Sequence, residues 1–161
     1  MTPQLTINNV WMNVTPDLQR DIVDFWNSNN MLNPAVDSQA RAQQVVLTVR
    51  NNGKIVGLTS ADFVKFHQLN DNLFYLFRMI VLPELRLPGI GSKLIVETRD
   101  ILEDYAEKQT TNKCIGLLTI VENPQLIAQR NEAVWPSKMV YIGNDKAGRP
   151  IRVYYFKGVR I

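Results

Sequence analysis

Between Leu73 and Lys108 the chain changes character twice, and the order of those changes limits what it can become. LFYLFRMIVL is an apolar, aromatic run whose only charge is Arg78. The run breaks at Pro83, passes through RLPGIGSK (Arg86–Lys93) and continues with helical periodicity. That order predicts a strand, a glycine-bearing loop and a helix. An unbroken apolar run, as opposed to an alternating one, belongs to a central strand covered on both faces. In the helix, Ile90, Leu94, Ile95, Ile101, Leu102 and Tyr105 share one broad face. Lys93–Glu97, Arg99–Glu103 and Asp104–Lys108 stand four residues apart on the outer side, where such pairs contribute only tenths of a kcal/mol. At the helix start, backbone N–H groups lack carbonyl partners, so an anion can sit there.

Composition sets the outer limits. A chain of 161 residues with 45% hydrophobic and 20% charged residues has the make-up of one globular domain with a real core. No apolar run is long enough to span a bilayer. MTPQLTINNV lacks a basic head and an apolar stretch, so no secretory leader is expected and a cytoplasmic location is. Cys114, the lone cysteine, sits in CIGLLTIV and reads as a buried strand residue, not as a nucleophile. The formal charge of +3 is concentrated late, in Lys138, Lys146, Arg149, Arg152, Lys157 and Arg160 against Asp145. Such a cluster reads first as a solvated surface and second as a field for phosphates or nucleic acid.

Residues 4–13 predict a weak first strand. Thr15-Pro16-Asp17 is a helix start, with Thr to cap, Pro tolerated in the first turn and Asp complementing the dipole. Leu18, Ile22, Phe25 and Trp26 form its apolar stripe. A shorter helix is expected within Asp37–Gln43. Val45–Arg50 and Lys54–Ser60 flank Asn51-Asn52-Gly53, a hairpin signal, and the second arm can extend to Phe66. Lys113–Val121 is a buried strand, parallel to its predecessor if the helix is a right-handed crossover. An irregular or helical stretch follows Asn123-Pro124. Met139–Ile142 and Ile151–Lys157 are closing strands joined by GNDKAGRP.

The loop Arg86-Leu87-Pro88-Gly89-Ile90-Gly91-Ser92 carries the chemistry. It is neither a P-loop nor a dinucleotide fingerprint, because GxxxxGK[ST] and GxGxxG are both absent. Gly89 and Gly91 remove Cβ atoms where a ligand would approach the backbone. Arg86 adds a fixed positive charge. The RxxGxG core resembles the coenzyme A-binding motif of the GNAT superfamily of N-acetyltransferases. Its lead-in, Val81-Leu82-Pro83-Glu84-Leu85-Arg86, is similar to that family's V-x-P-x-x-R, and the upstream hairpin and the closing strands fall in the family's order.

That resemblance implies an α/β (α+β) fold over residues 1–161 as one acyl-CoA-binding domain. Its sheet would be mixed and mostly antiparallel, of about six to seven strands flanked by about four helices. It implies acetyl-CoA as cofactor, with its pyrophosphate on the amides of Gly89, Ile90, Gly91 and Ser92, beside Arg86 and Leu87. Pro88 has no N–H to offer. The pantetheine arm would pair with backbone near Ile80 and Val81, and Asn123, ending the fifth strand, completes the cofactor set. No metal is implied. The partner would be a small-molecule or peptide amine; homodimers are common in the family, and neither membrane nor nucleic acid is the expected partner.

The proton-moving residues are less legible. Some relatives carry a Glu seven residues before the motif's Val, where this chain has Phe74. Many carry a Tyr seven residues past the Asn, where this chain has Arg130. Glu122, Tyr141, His67, Asp62 and Tyr154 remain, of which Glu122 as base and Tyr141 as acid are the choice. The reading is therefore transfer of an acetyl group to a primary amine by direct attack in a ternary complex. The rivals are a degenerate acyl-CoA-binding sensor or scaffold, and a basic module that binds nucleic acid through the closing strands.

Overall fold

The structure, a computed structural model, describes residues 4–161; Met1–Pro3, the start of the N-terminal stretch weighed above as a leader, lie outside the described residues. Strand β1 (Leu5–Asn9) is followed by α1 (Pro16–Ser28) and α2 (Ser38–Ala42). Then come β2 (Val45–Asn51), β3 (Lys54–Phe66) and β4 (Asn72–Val81). Helix α3 (Ile90–Glu107), β5 (Gly116–Ile120), α4 (Pro124–Gln129), β6 (Val140–Asn144) and β7 (Pro150–Tyr155) complete the order. The seven strands form one sheet in the order β1-β2-β3-β4-β5-β7-β6. It is mixed: β4 and β5 run parallel, while β1–β2, β2–β3, β5–β7 and β6–β7 are antiparallel. That is the expected architecture.

By contact the chain divides into two compact units, Met1–Ala61 with Arg78–Gly91, and Asp62–Phe77 with Ser92–Ile161. In the first, Thr15 caps α1 through the Leu18 N–H and Asp37 caps α2 through the Gln39 and Ala40 N–H groups. The α1 stripe does what its spacing predicts. Ile22, Phe25 and Trp26 are buried and pack with Ala42, Val45 and Leu58. The NNG hairpin closes with Asn52 and Gly53 at φ 51° and 81°, the left-handed region those residues tolerate.

In the second unit Phe74, Ile115, Leu118, Ile151 and Val153 form the core, with Val64 and Phe66 of the lengthened β3 packed against it. Phe74 is fully buried, so the position that carries Glu in some relatives is here filled by a core ring. Helix α3 turns Leu94, Ile95, Thr98 and Leu102 inward. Two of its three expected surface pairs form, Lys93–Glu97 at 4.0 Å and Lys108–Asp104 at 3.0 Å. Arg99 does not pair with Glu103. It bonds Asp100 and the Ser137 carbonyl, while Glu103 accepts the Lys157 N–H at 2.6 Å. Tertiary partners outcompete the helix neighbour.

Candidate functional site

The turn from β4 into α3 is built by three local devices. The Ile90 N–H donates to the Leu87 carbonyl at 3.1 Å, closing a four-residue turn around Pro88 and Gly89. Gly89 stands at φ +81°. Proline followed by a positive-φ glycine is the type II pattern, and only glycine adopts it without strain. The Ile90 amide is thereby spent within the loop, which leaves Gly89, Gly91 and Ser92 as the amides at the helix start. A Cβ at Gly89 would meet no protein atom within 4 Å, and one at Gly91 would meet only Met79 Cε at 3.6 Å. The fold does not require glycine at 91 on steric grounds, so the open space there suits a ligand.

Arg86 folds back from this turn. Its Nε donates to the Val81 carbonyl at 3.0 Å, and its terminal nitrogens have no partner among the described residues. Strand alternation explains why Val81 is reachable. The Leu82 N–H bonds the Val56 carbonyl of β3, so the peptide edges of Ile80 and Leu82 turn towards β3. Val81 presents its N–H and C=O to the other side. Of the two positions expected to meet a pantetheine chain, Val81 offers the outward edge, whereas Ile80 faces β3.

The second unit holds a cleft of about 260 Å³ lined by Val121, Ile127, Arg130, Asn131, Trp135, Tyr141, Asn144, Pro150 and Arg152. Tyr141 sits on β6 directly opposite Arg152 on β7, which puts both side chains on one face. Its phenol donates to Asn144 Oδ1 at 3.0 Å. Glu122 does not line this cleft; its carboxylate is 71% exposed and accepts from Arg149 Nη1 at 2.8 Å. Asn123 uses Oδ1 to cap α4 through the Gln125 and Leu126 N–H groups. The remaining candidates are more remote from such a role. His67 is 90% exposed and pairs with Asp71, and Asp62 accepts from the next backbone N–H. Tyr154 lies near Glu103, and burial first, then that carboxylate, raises its phenol pKa.

Cys114 is 1% exposed, and burial pushes its thiol up to about 12. A thiol so rarely ionised is a poor nucleophile. The late basic cluster also shrinks on inspection. Arg149 is paired to Asp145 and Glu122, and Arg152 is 3% exposed. Sequence reasoning passed over Trp135, Asn144 and Arg152. One signal was available for the last: an arginine between Ile151 and Val153, in a strand too apolar to leave it outside.

A model of the acetyltransferase (GNAT) family matches residues 11–131, a span that includes the β4 turn and α3. The chain belongs to that family. Members of the GNAT family use acetyl-CoA as acyl donor. Among solved structures the chain is similar to AtaTR bound with acetyl-CoA, at 13% identity and TM-score 0.61, covering 98% of this chain and 96% of that one. It is similar to yncA from Salmonella typhimurium with its cofactor acetyl-CoA, at 15% identity and TM-score 0.58, covering 98% and 96%. It is also similar to KacTA in complex with DNA, at 14% identity and TM-score 0.56, covering 96% and 94%. Identities this low establish a shared fold. No curated protein matches the chain. Among the described residues no helix is long and apolar enough to cross a membrane.

Proposed function

We propose that this GNAT chain is an N-acetyltransferase that moves an acetyl group from acetyl-CoA to a primary amine, by direct attack within a ternary complex in the cytoplasm. The β4–α3 turn carries the reading. A positive-φ glycine, an open helix start and an arginine with unpartnered terminal nitrogens stand together, and each suits a pyrophosphate. Gly89, Gly91 and Ser92 hold the phosphates by their amides, and Arg86 adds charge beside Leu87. Val81 offers its outward edge to the pantetheine amides.

Bound acetyl-CoA supplies an activated thioester. In this reading the Val81 N–H, on the strand's outward edge, donates to the acetyl oxygen as negative charge develops there. The acceptor nitrogen must be neutral to attack, and the departing sulfur needs a proton. Tyr141 gives that proton in this reading, from the face it shares with Arg152. Glu122 is the second candidate, a base acting through water, and its ion pair with Arg149 holds the carboxylate away from the cleft wall. The buried, weakly acidic Cys114 agrees with a route that needs no acyl-enzyme. Acetyl-CoA titrated by calorimetry is expected to bind with a micromolar Kd, roughly −8 kcal/mol. Absence of binding sinks the proposal. Binding without thiol release across a panel of polyamines, aminoglycosides, amino acids and peptides would point to a sensor or scaffold.

A further inference from the structure

The cleft in the second unit contains a charge that the fold leaves uncompensated. Arg152 is 3% exposed, its Nε is buried without a partner, and its terminal nitrogens make two long bonds. These run to the Ala133 carbonyl at 3.4 Å and the Arg130 carbonyl at 3.3 Å. Among the described residues no carboxylate forms an ion pair with it. Glu132 attracts it at longer range, and that carboxylate lies 3.3 Å from Arg130 Nε. The carboxylate is thus taken by Arg130 and reaches Arg152 only from further off. Burial lowers the Arg152 pKa, yet arginine stays charged in proteins. A buried charge persists only where something pairs with it.

The surroundings say what that something is. The Arg152 guanidinium lies 4.1 Å over the Trp135 ring, which fixes its plane and adds attraction without negative charge. Trp135 is itself anchored by its indole N–H, which donates to the Arg130 carbonyl at 2.8 Å. Asn131, Asn144 and Tyr141 bring neutral polar groups to the lining, and Val121, Ile127 and Pro150 make an apolar wall. The unused Nε–H and the second hydrogen of an adjacent terminal nitrogen form one fork, the shape that two oxygens of a planar carboxylate fit. Arg130 lines the cleft too, but its Nε stands 3.3 Å from the Glu132 carboxylate, so a phosphate dianion would find only one guanidinium without a carboxylate beside it.

We propose that this cleft binds the carboxylate of a small ligand with a short apolar chain, Arg152 supplying the counter-charge and Val121, Ile127 and Pro150 covering the carbon side. The site stands on its own geometry. Where it rests on the acetyltransferase reading, through Tyr141 on the same face, it narrows the acceptor to amines that also bear a carboxylate.

The test is an NMR titration of the full chain, following the Arg152 Nε–H and the Trp135 indole N–H. Butyrate is compared with butyramide, its neutral isostere, and with inorganic phosphate. Butyrate should shift both signals saturably with a Kd of about 1 mM, and butyramide should bind at least about tenfold more weakly. Equal response to the amide, or no response to butyrate at about 50 mM, roughly fifty times that constant, overturns the proposal. Tighter binding of phosphate than of butyrate overturns it in favour of a phosphate site. Arg152→Lys keeps the charge, loses the fork and should weaken butyrate about tenfold. The wild-type titrations decide the matter even if that variant fails to fold. Because no readout uses acetyl-CoA or turnover, failure here and failure of the acetyltransferase reading are separate results.

Discussion

The β4–α3 turn and the α4–β6–β7 cleft are made from different materials. The turn is backbone: a glycine at φ +81°, amides at a helix start and the outward edge of Val81 are what it offers a ligand. Only Arg86 contributes a side chain of consequence. The cleft is side chains drawn from positions 121 to 152, brought together by strand pairing and by a capped helix too short to bury a face. A backbone site constrains sequence by exclusion, demanding glycine where φ or space requires it. A side-chain site constrains it by contact, and many residue sets satisfy the same contacts. In the proposed reaction the first kind holds the donor, and the second holds the acceptor and the acid–base residues.

If that division is right, each region can be damaged without the other noticing. The largest effect is expected from Tyr141→Phe, which removes the proposed acid while keeping the ring. Thiol release in single turnover should fall about a hundredfold or more, the scale of general acid–base catalysis. Acetyl-CoA affinity measured by calorimetry should be unchanged. A fall of less than about threefold would remove Tyr141 from the chemistry and leave the cleft a binding surface only. Next comes Gly91→Glu, which the fold can accept because a Cβ there meets only Met79 Cε at 3.6 Å. Placing a carboxylate against a diphosphate costs several kcal/mol, so acetyl-CoA should bind about a hundredfold more weakly. The melting temperature and the butyrate titration should not move. Unaltered cofactor affinity would show that the turn is not the phosphate seat.

The same division explains what could be read in advance. The turn was legible because P-G-I-G after an apolar strand has few other uses, and the strand and helix on either side follow from periodicity. Even there one detail was out of reach: the Ile90 amide is consumed by the Leu87 carbonyl, a consequence of turn type and not of residue identity. Strand ends drifted for a similar reason. Lys113–Cys114 continues the β5 pattern, yet the strand itself runs only from Gly116 to Ile120. The cleft was illegible because Tyr141 and Arg152 meet only through the β6–β7 register, which carries a shift between Tyr141 and Gly143, and Trp135 joins them through the Val134–Val140 bridge. A one-residue difference would have turned Tyr141 to the opposite face. The late basic residues read first as a solvated surface, but a count of charges does not reveal that Arg149 is paired and Arg152 buried.

Smaller effects sharpen the comparison within the cleft. Trp135→Leu removes the ring under Arg152 and the indole bond to the Arg130 carbonyl. Losing that stacking and leaving a polar group unpaired should destabilise the protein by about 2 kcal/mol in urea titration. Acetyl-CoA affinity should stay as it was. Should cofactor affinity fall as far as stability does, the two sites are energetically one.

The smallest effect concerns the β6–β7 hairpin, whose loop is tied by Asp145. Its carboxylate accepts the Arg149 and Ala147 backbone N–H groups and the Arg149 guanidinium. The backbone bond from Arg149, then its side chain, holds the Asp145 carboxyl below the usual aspartate range. A depressed folded-state pKa contributes stability above the unfolded pKa of about 3.9 and loses it as pH falls through the folded value. The urea midpoint should therefore drop more steeply below about pH 4 in the native protein than in Asp145→Asn, which has no proton to take up there. Glu122→Gln, removing an exposed partner of the same arginine, should lower the unfolding free energy from urea titration by less than about 1 kcal/mol at neutral pH. If thiol release in that variant nevertheless fell about a hundredfold, Glu122 would be acting as a base and not only as the outer half of an ion pair.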